Sequence, residues 1–209
     1  MNPNWAEENL QTIRTLMERS AVYRRALAPI MLFAGAMGVV AATTGFLSRL
    51  DSLRLFCAFW LGTAVMVAAG AFLIARQQAI KEKEAFWSPP TRRVAQTMWP
   101  LLLAGAVLGG IPMVVGGGDA PPDCDLLTTA IWILFYGCAL HAAGFFMPRG
   151  IKFFGLAFIA SACVLIYAFF GGGISDRINA HCLMGFFFGA LHLAYGAYLY
   201  LTEKGKNAA

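Results

Sequence analysis

Long apolar stretches without charge alternate with short charged segments along the whole chain. The 16 Lys and Arg residues and the 11 Asp and Glu residues all lie outside six windows. Each window is close to the ~20 residues that cross a ~30 Å hydrocarbon core as a helix. The windows run over Ala26–Leu47, Leu55–Ala75, Gln96–Gly116, Leu126–Phe146, Phe153–Gly171 and Ala180–Thr202.

Helices, not strands, are expected in these windows. Lipid offers no hydrogen-bond partners to the backbone, and the windows lack the alternation typical of a membrane barrel. The pattern therefore predicts an all-α fold, a polytopic membrane bundle of six transmembrane helices over residues 26–202. A cytoplasmic segment, residues 1–25, precedes this bundle, and a short cytoplasmic tail, residues 203–209, follows it.

Composition agrees with a membrane protein. Charged residues make up 13% of the chain, about half the ~25% usual in soluble domains. The net charge of +5 does not indicate nucleic acid as a partner, because the basic residues flank apolar windows and form no basic helix face. The lipid bilayer is the expected environment.

The basic residues also predict an orientation. Thirteen of the 16 Lys and Arg residues fall on the side of the N-terminus, and only Arg49, Arg54 and Arg177 fall on the other side. Positive residues are enriched on the cytoplasmic side of membrane proteins. We therefore expect both termini to be cytoplasmic.

Residues 1–25 have the pattern of an amphipathic helix. Asn4 and Glu7 have the spacing of a capping box, and the apolar residues that follow recur at helical spacing. Such a helix would lie on the membrane surface or dock on a partner.

The second cytoplasmic loop, residues 76–95, is the longest. Arg76–Ala85 is expected to continue the second helix out of the membrane, and Ser88–Pro90 to end it. Thr91 is the expected N-cap of the third helix. Together with residues 1–25, this loop is a candidate surface for another membrane or cytoplasmic protein.

Glycines four residues apart predict close helix contacts in two spans. Gly105 and Gly109 lie in the third span, and Gly185 and Gly189 lie in the sixth. This spacing lets helices approach closely, either within one bundle or in a homodimer.

Two histidines carry the strongest candidate chemistry. His141 and His192 both follow Ala-Leu, in the fourth and sixth spans, which run in the same direction. An ionisable residue at membrane depth is a functional candidate, and imidazole is a common haem ligand. A paired cofactor site for haem b or a quinone is one hypothesis; the other is that each histidine is structural and hydrogen-bonds a neighbouring group.

Other chemistry has little support. The spans hold no Asp, Glu, Lys or Arg, and the chain lacks phosphate-loop, zinc-protease and Cys-x-x-Cys motifs. Enzymatic activity is therefore not expected, and a small-molecule transporter or channel is disfavoured. No metal site is predicted. Cys124 and Cys182 mark the outer ends of the fourth and sixth spans, where a disulfide is possible if those spans are adjacent.

Three motifs of the chain are similar to those of a known family. Met17–Ser20, Tyr136–Phe146 and Phe188–Gly196 resemble an uncharacterised family of small bacterial integral membrane proteins. The resemblance implies six spans in the bacterial cytoplasmic membrane, the inner membrane of the cell, and brings no activity with it. We therefore expect a non-enzymatic multi-pass membrane protein, an accessory or sensory component that acts through partner interactions. A haem- or quinone-binding electron-transfer protein that uses His141 and His192 is the alternative.

Overall fold

The computed structural model describes residues 26–50, 52–83, 85–115, 124–171 and 179–207. Helices and turns make up these residues, and no strand occurs among them. Six helices are long and apolar enough to cross a membrane, so the chain is a multi-pass membrane protein, as predicted. They are α1 (Ala26–Leu47), α2 (Leu53–Lys81), α3 (Pro89–Val115), α4 (Cys124–Ala143), α5 (Arg149–Phe170) and α6 (Ala180–Asn207).

α6 changes its helical form along its length. Ala180–Met184 is α-helical, Gly185–Ala190 is π-helical, and Leu191–Asn207 is α-helical again. The apolar pattern did not predict this change, because a π-helical turn alters the backbone hydrogen bonds and not the hydrophobicity.

The helix ends correct two details of the sequence analysis. α2 ends at Lys81 and does not continue to Ala85. α3 begins at Pro89, so Thr91 lies within its first turn and is not its N-cap. The Arg92 amide donates to the Ser88 carbonyl, and the hydroxyls of Ser88 and Thr91 are 2.9 Å apart. Proline suits the first turn of a helix, because the amide hydrogen that it lacks has no acceptor there. The helix predicted over residues 1–25 lies outside the described residues.

α1 and α6 pack antiparallel with their backbones in near contact. A Cβ atom added at Gly35 would lie 2.6 Å from the amide nitrogen of Leu193, and one at Gly189 would lie 2.9 Å from that of Val39. At Gly38 the added atom would meet the Phe188 carbonyl. The glycine pattern of the sixth span therefore serves a contact within the bundle.

Glycines also join α4 to its two neighbours along the chain. A Cβ atom at Gly155 of α5 would lie 2.5 Å from the amide nitrogen of His141, and one at Gly144 would lie 2.7 Å from the Lys152 amide. On the other side of α4, Trp132 occupies the space that a side chain at Gly109 of α3 would need. Its indole nitrogen donates to the Gly105 carbonyl at 3.0 Å.

The buried core lies between α1, α4, α5 and α6, and the first turns of α2 join it. Among the six spans α4 is the most buried and α2 the least. α2 packs its first turns inward through Phe56, Cys57 and Trp60, whereas Val65 and Met66 in its middle are exposed. Exposed apolar side chains of this kind are expected where a helix faces lipid.

Candidate functional site in the bundle interior

His192 is buried in an aromatic cage between three helices. Its ring is 1% exposed and lies within 6.1 Å, centroid to centroid, of four aromatic rings. Tyr136 comes from α4, Phe154 and Phe158 come from α5, and Phe188 precedes it on α6.

Both ring nitrogens of His192 have protein partners. Nδ1 lies 2.9 Å from the Phe187 carbonyl oxygen, and Nε2 lies 2.7 Å from the Tyr136 hydroxyl. A carbonyl oxygen only accepts, so Nδ1 carries the hydrogen and donates to it. In the neutral ring Nε2 then accepts from Tyr136, and the buried imidazole is fully hydrogen-bonded.

The π-helical stretch explains why a donor is needed at this position. The Leu191 amide would bond to the Phe187 oxygen in an α-helix, but it bonds to the Phe186 oxygen instead. The Phe187 oxygen thus loses its α-helical donor inside an apolar core, where an unpaired carbonyl costs free energy. The His192 ring supplies a hydrogen bond to that oxygen.

His141 occupies a different environment. It lies in the last turn of α4, half-buried, and its Nδ1 is 3.3 Å from the Lys152 carbonyl oxygen at the start of α5. Its ring meets the Phe145 ring edge to face at 5.5 Å.

The adjacency of α4 and α6 was a condition of both the disulfide and the paired site, and the two helices do meet, through Tyr136 and His192. His141 and His192 share no hydrogen bond and no ring contact in the described part of the chain. Tyr195, which is also on α6, stacks on Phe154 at 4.8 Å. A shared site for the two histidines remains a hypothesis, and a ligand at His192 would have to displace Tyr136 or Phe187.

The sequence analysis missed a second buried histidine, His181. It is 3% exposed and packs against Phe56 at 5.0 Å. The indole nitrogen of Trp60 donates to its Nδ1 at 3.1 Å, and its Nε2 lies 3.4 Å from the Leu50 carbonyl oxygen. Gly45 leaves the space that the ring fills. His181 lies at the start of a span, a position typical of interfacial residues. No local motif in the sequence pointed to its pairing with Trp60.

One buried polar atom has no partner within the described residues. The Thr129 hydroxyl is fully buried in α4 and makes no hydrogen bond. The neighbouring Thr128 hydroxyl donates to the Cys124 carbonyl at 2.8 Å, as threonine commonly does within a helix. Thr129 alone does not outline a ligand site.

Metal ligands are not clustered in the described ranges. No group of three or more His, Cys, Asp or Glu side chains there has the geometry to hold a metal ion. The structure shows Cys124 half-buried and Cys182 exposed. Their oxidative pairing stays a prediction.

Comparison with known proteins gives no relative. No family model, no curated protein and no solved structure matches the chain. The resemblance to a family of small bacterial membrane proteins therefore remains untested.

Proposed function

We propose that this chain is a non-enzymatic accessory protein of the bacterial cytoplasmic membrane that binds an acidic partner protein through its α2–α3 connection. In this proposal both termini and the connection face the cytoplasm, as the distribution of Lys and Arg indicates.

The observation that carries the proposal is the surface of this connection. α2 extends six residues beyond its apolar window to Lys81, or about 9 Å at 1.5 Å per residue. Ile80 is 66% exposed and Trp87 is 60% exposed, although both lie outside the apolar windows. The exposed basic residues around them are Arg76, Lys81, Lys83, Arg92 and Arg93.

The connection is held in place by its own contacts. Phe86 packs on Phe72 of α2 with ring centroids 5.0 Å apart, and the Gln78 amide donates to the Glu82 carboxylate at 3.3 Å. An ordered surface with an exposed tryptophan and several positive charges suits an acidic protein, since aromatic and basic residues commonly anchor interfaces.

The bundle interior supports the same proposal. The buried rings of His192, His181, Trp60 and Trp132 all have their polar atoms bonded to other groups of the protein. A haem iron at His192 would need the Nε2 atom, and would therefore have to displace the Tyr136 hydroxyl from it. These hydrogen bonds favour a structural role for the buried histidines and tryptophans. We therefore assign the function to the surface of the α2–α3 connection.

Site-specific photocrosslinking in intact cells tests the proposal. A photoreactive residue at Trp87 is expected to give one crosslinked protein, and the same residue at Val65, on the exposed middle of α2, is expected to give none. Arg92→Glu and Arg93→Glu together should abolish the crosslink at Trp87 by repelling an acidic partner. Equal products at Trp87 and Val65, or a crosslink that survives the charge reversal, would contradict the proposal.

The absorption spectrum of the purified protein tests the alternative. The proposal expects no Soret band. A band that disappears in His192→Phe would establish haem binding and overturn the non-cofactor account.

A further inference from the structure

The turn between α4 and α5 carries exposed positive charge beside exposed aromatic rings. Arg149 is exposed at the first residue of α5, and Lys152 is half-buried one turn later. Phe145 is 64% exposed and Phe153 is 66% exposed, so apolar surface lies on both sides of the two charges.

Internal contacts fix the position of this positive charge. The Lys152 ammonium lies 4.1 Å from the centre of the Phe145 ring, a cation–π contact. The Lys152 backbone is held from the other side, because the His141 ring bonds to its carbonyl oxygen. Gly144 lets the two chain segments meet, since a Cβ there would lie 2.7 Å from the Lys152 Cα.

Among the side chains that the structure describes, neither Arg149 nor Lys152 makes an ion pair. A side chain ordered over an aromatic ring loses less conformational freedom on binding than a free lysine does. The cluster is therefore prepared to receive an anion.

We infer that Arg149 and Lys152 bind the phosphate headgroup of an anionic phospholipid, with the Phe145 ring holding the Lys152 ammonium in place. The adjoining exposed phenylalanines would contact its acyl chains, which a free phosphate ion lacks. Anionic headgroups are the negative groups that juxtamembrane basic residues meet. This site is independent of the proposed partner surface on the α2–α3 connection.

Native mass spectrometry of the full-length protein in detergent, with phosphatidylglycerol or phosphatidylcholine added, tests the inference. We expect one phosphatidylglycerol to stay bound and phosphatidylcholine to bind at least tenfold more weakly. The double variant Arg149→Gln/Lys152→Gln should lose about 30-fold in affinity for phosphatidylglycerol, which is about 2 kcal/mol at 1.4 kcal/mol per tenfold.

Matched variants separate this site from general charge effects. Lys81→Gln/Arg92→Gln removes the same net charge from the α2–α3 connection and should leave the affinity within twofold. Phe145→Leu keeps an apolar side chain but removes the cation–π contact, and should lower the affinity by a smaller factor than the double charge variant.

Three outcomes would overturn the inference. They are equal losses in the two double variants, equal binding of phosphatidylcholine, and displacement of the lipid by millimolar inorganic phosphate. The thermal unfolding midpoint of each variant, measured in the same detergent, shows whether a loss of binding reflects loss of the fold. If Arg149→Gln/Lys152→Gln is unstable, the affinity of the Phe145→Leu variant for phosphatidylglycerol tests the inference instead. An unchanged affinity in that variant would overturn it.

Discussion

The backbone contact between α1 and α6 can be tested by replacing Gly35 with alanine. The added Cβ would lie 2.6 Å from the Leu193 amide nitrogen and 2.9 Å from the Gly189 carbonyl oxygen, whereas ordinary contacts begin at 3.4 Å. The obstructing atoms include backbone, which no rotamer change can move. The two helices would have to separate by about 0.8 Å at this point.

The cost follows from two opposing terms. Overpacking of a well-packed site costs about 1–3 kcal/mol, and alanine in place of glycine in a helix returns up to about 1 kcal/mol. Gly35→Ala should therefore lower the free energy of unfolding by about 1–2 kcal/mol. Gly62→Ala is the matched control, because an added Cβ there meets no atom within 4 Å.

Unfolding of the purified protein by dodecyl sulfate in mixed micelles, followed by tryptophan fluorescence, measures both variants. Gly62→Ala should leave the unfolding free energy unchanged or raise it slightly. Equal effects of the two substitutions would refute the proposed backbone contact between α1 and α6.

Three further predictions concern separate parts of the molecule. Trp60→Phe should lower the unfolding free energy by about 1 kcal/mol, because His181 loses its donor; the same loss in a His181→Phe background would contradict this pairing. A reporter enzyme fused after Ala209 should lie in the cytoplasm. A reporter found on the outer side of the membrane would mean that the predicted orientation of the C-terminus is wrong. Peptide mapping without reductant should find Cys124 joined to Cys182 in protein made by cells, whereas recovery of both as alkylated thiols would remove the predicted disulfide.

Much of the fold was predictable from the apolar pattern. The window Ala26–Leu47 coincides with α1, and the window Ala180–Thr202 coincides with the apolar part of α6. The apolar windows and the helices agree because lipid offers no hydrogen-bond partners. A single segment that crosses it satisfies its backbone hydrogen bonds by forming a helix. The continuation of α2 into the loop was predicted, but its end at Lys81 and the start of α3 at Pro89 were not, since polarity no longer marks a helix boundary in the loop.

The polar pairings of the interior were only partly predictable. A hydrogen bond from each buried histidine to a neighbouring group was foreseen, and His192 does bond to Tyr136. The bond from His192 to Phe187 depends on the π-helical stretch, which has no signature in the apolar pattern. The pairing of His181 with Trp60 joins residues 121 positions apart, so only the packing of the helices determines it.

The account of the bundle interior rests on a structural role for His192, and nitrogen NMR tests this role directly. The protein contains three histidines, so ¹⁵N-histidine labelling in lipid bilayers gives few signals, and His192→Phe identifies the pair that belongs to His192. The account predicts a protonated Nδ1, an unprotonated Nε2, and a shift of the Nε2 signal in Tyr136→Phe, where its 2.7 Å partner is lost. An Nε2 signal that is broadened by a bound metal, or that does not respond to Tyr136→Phe, would contradict the account.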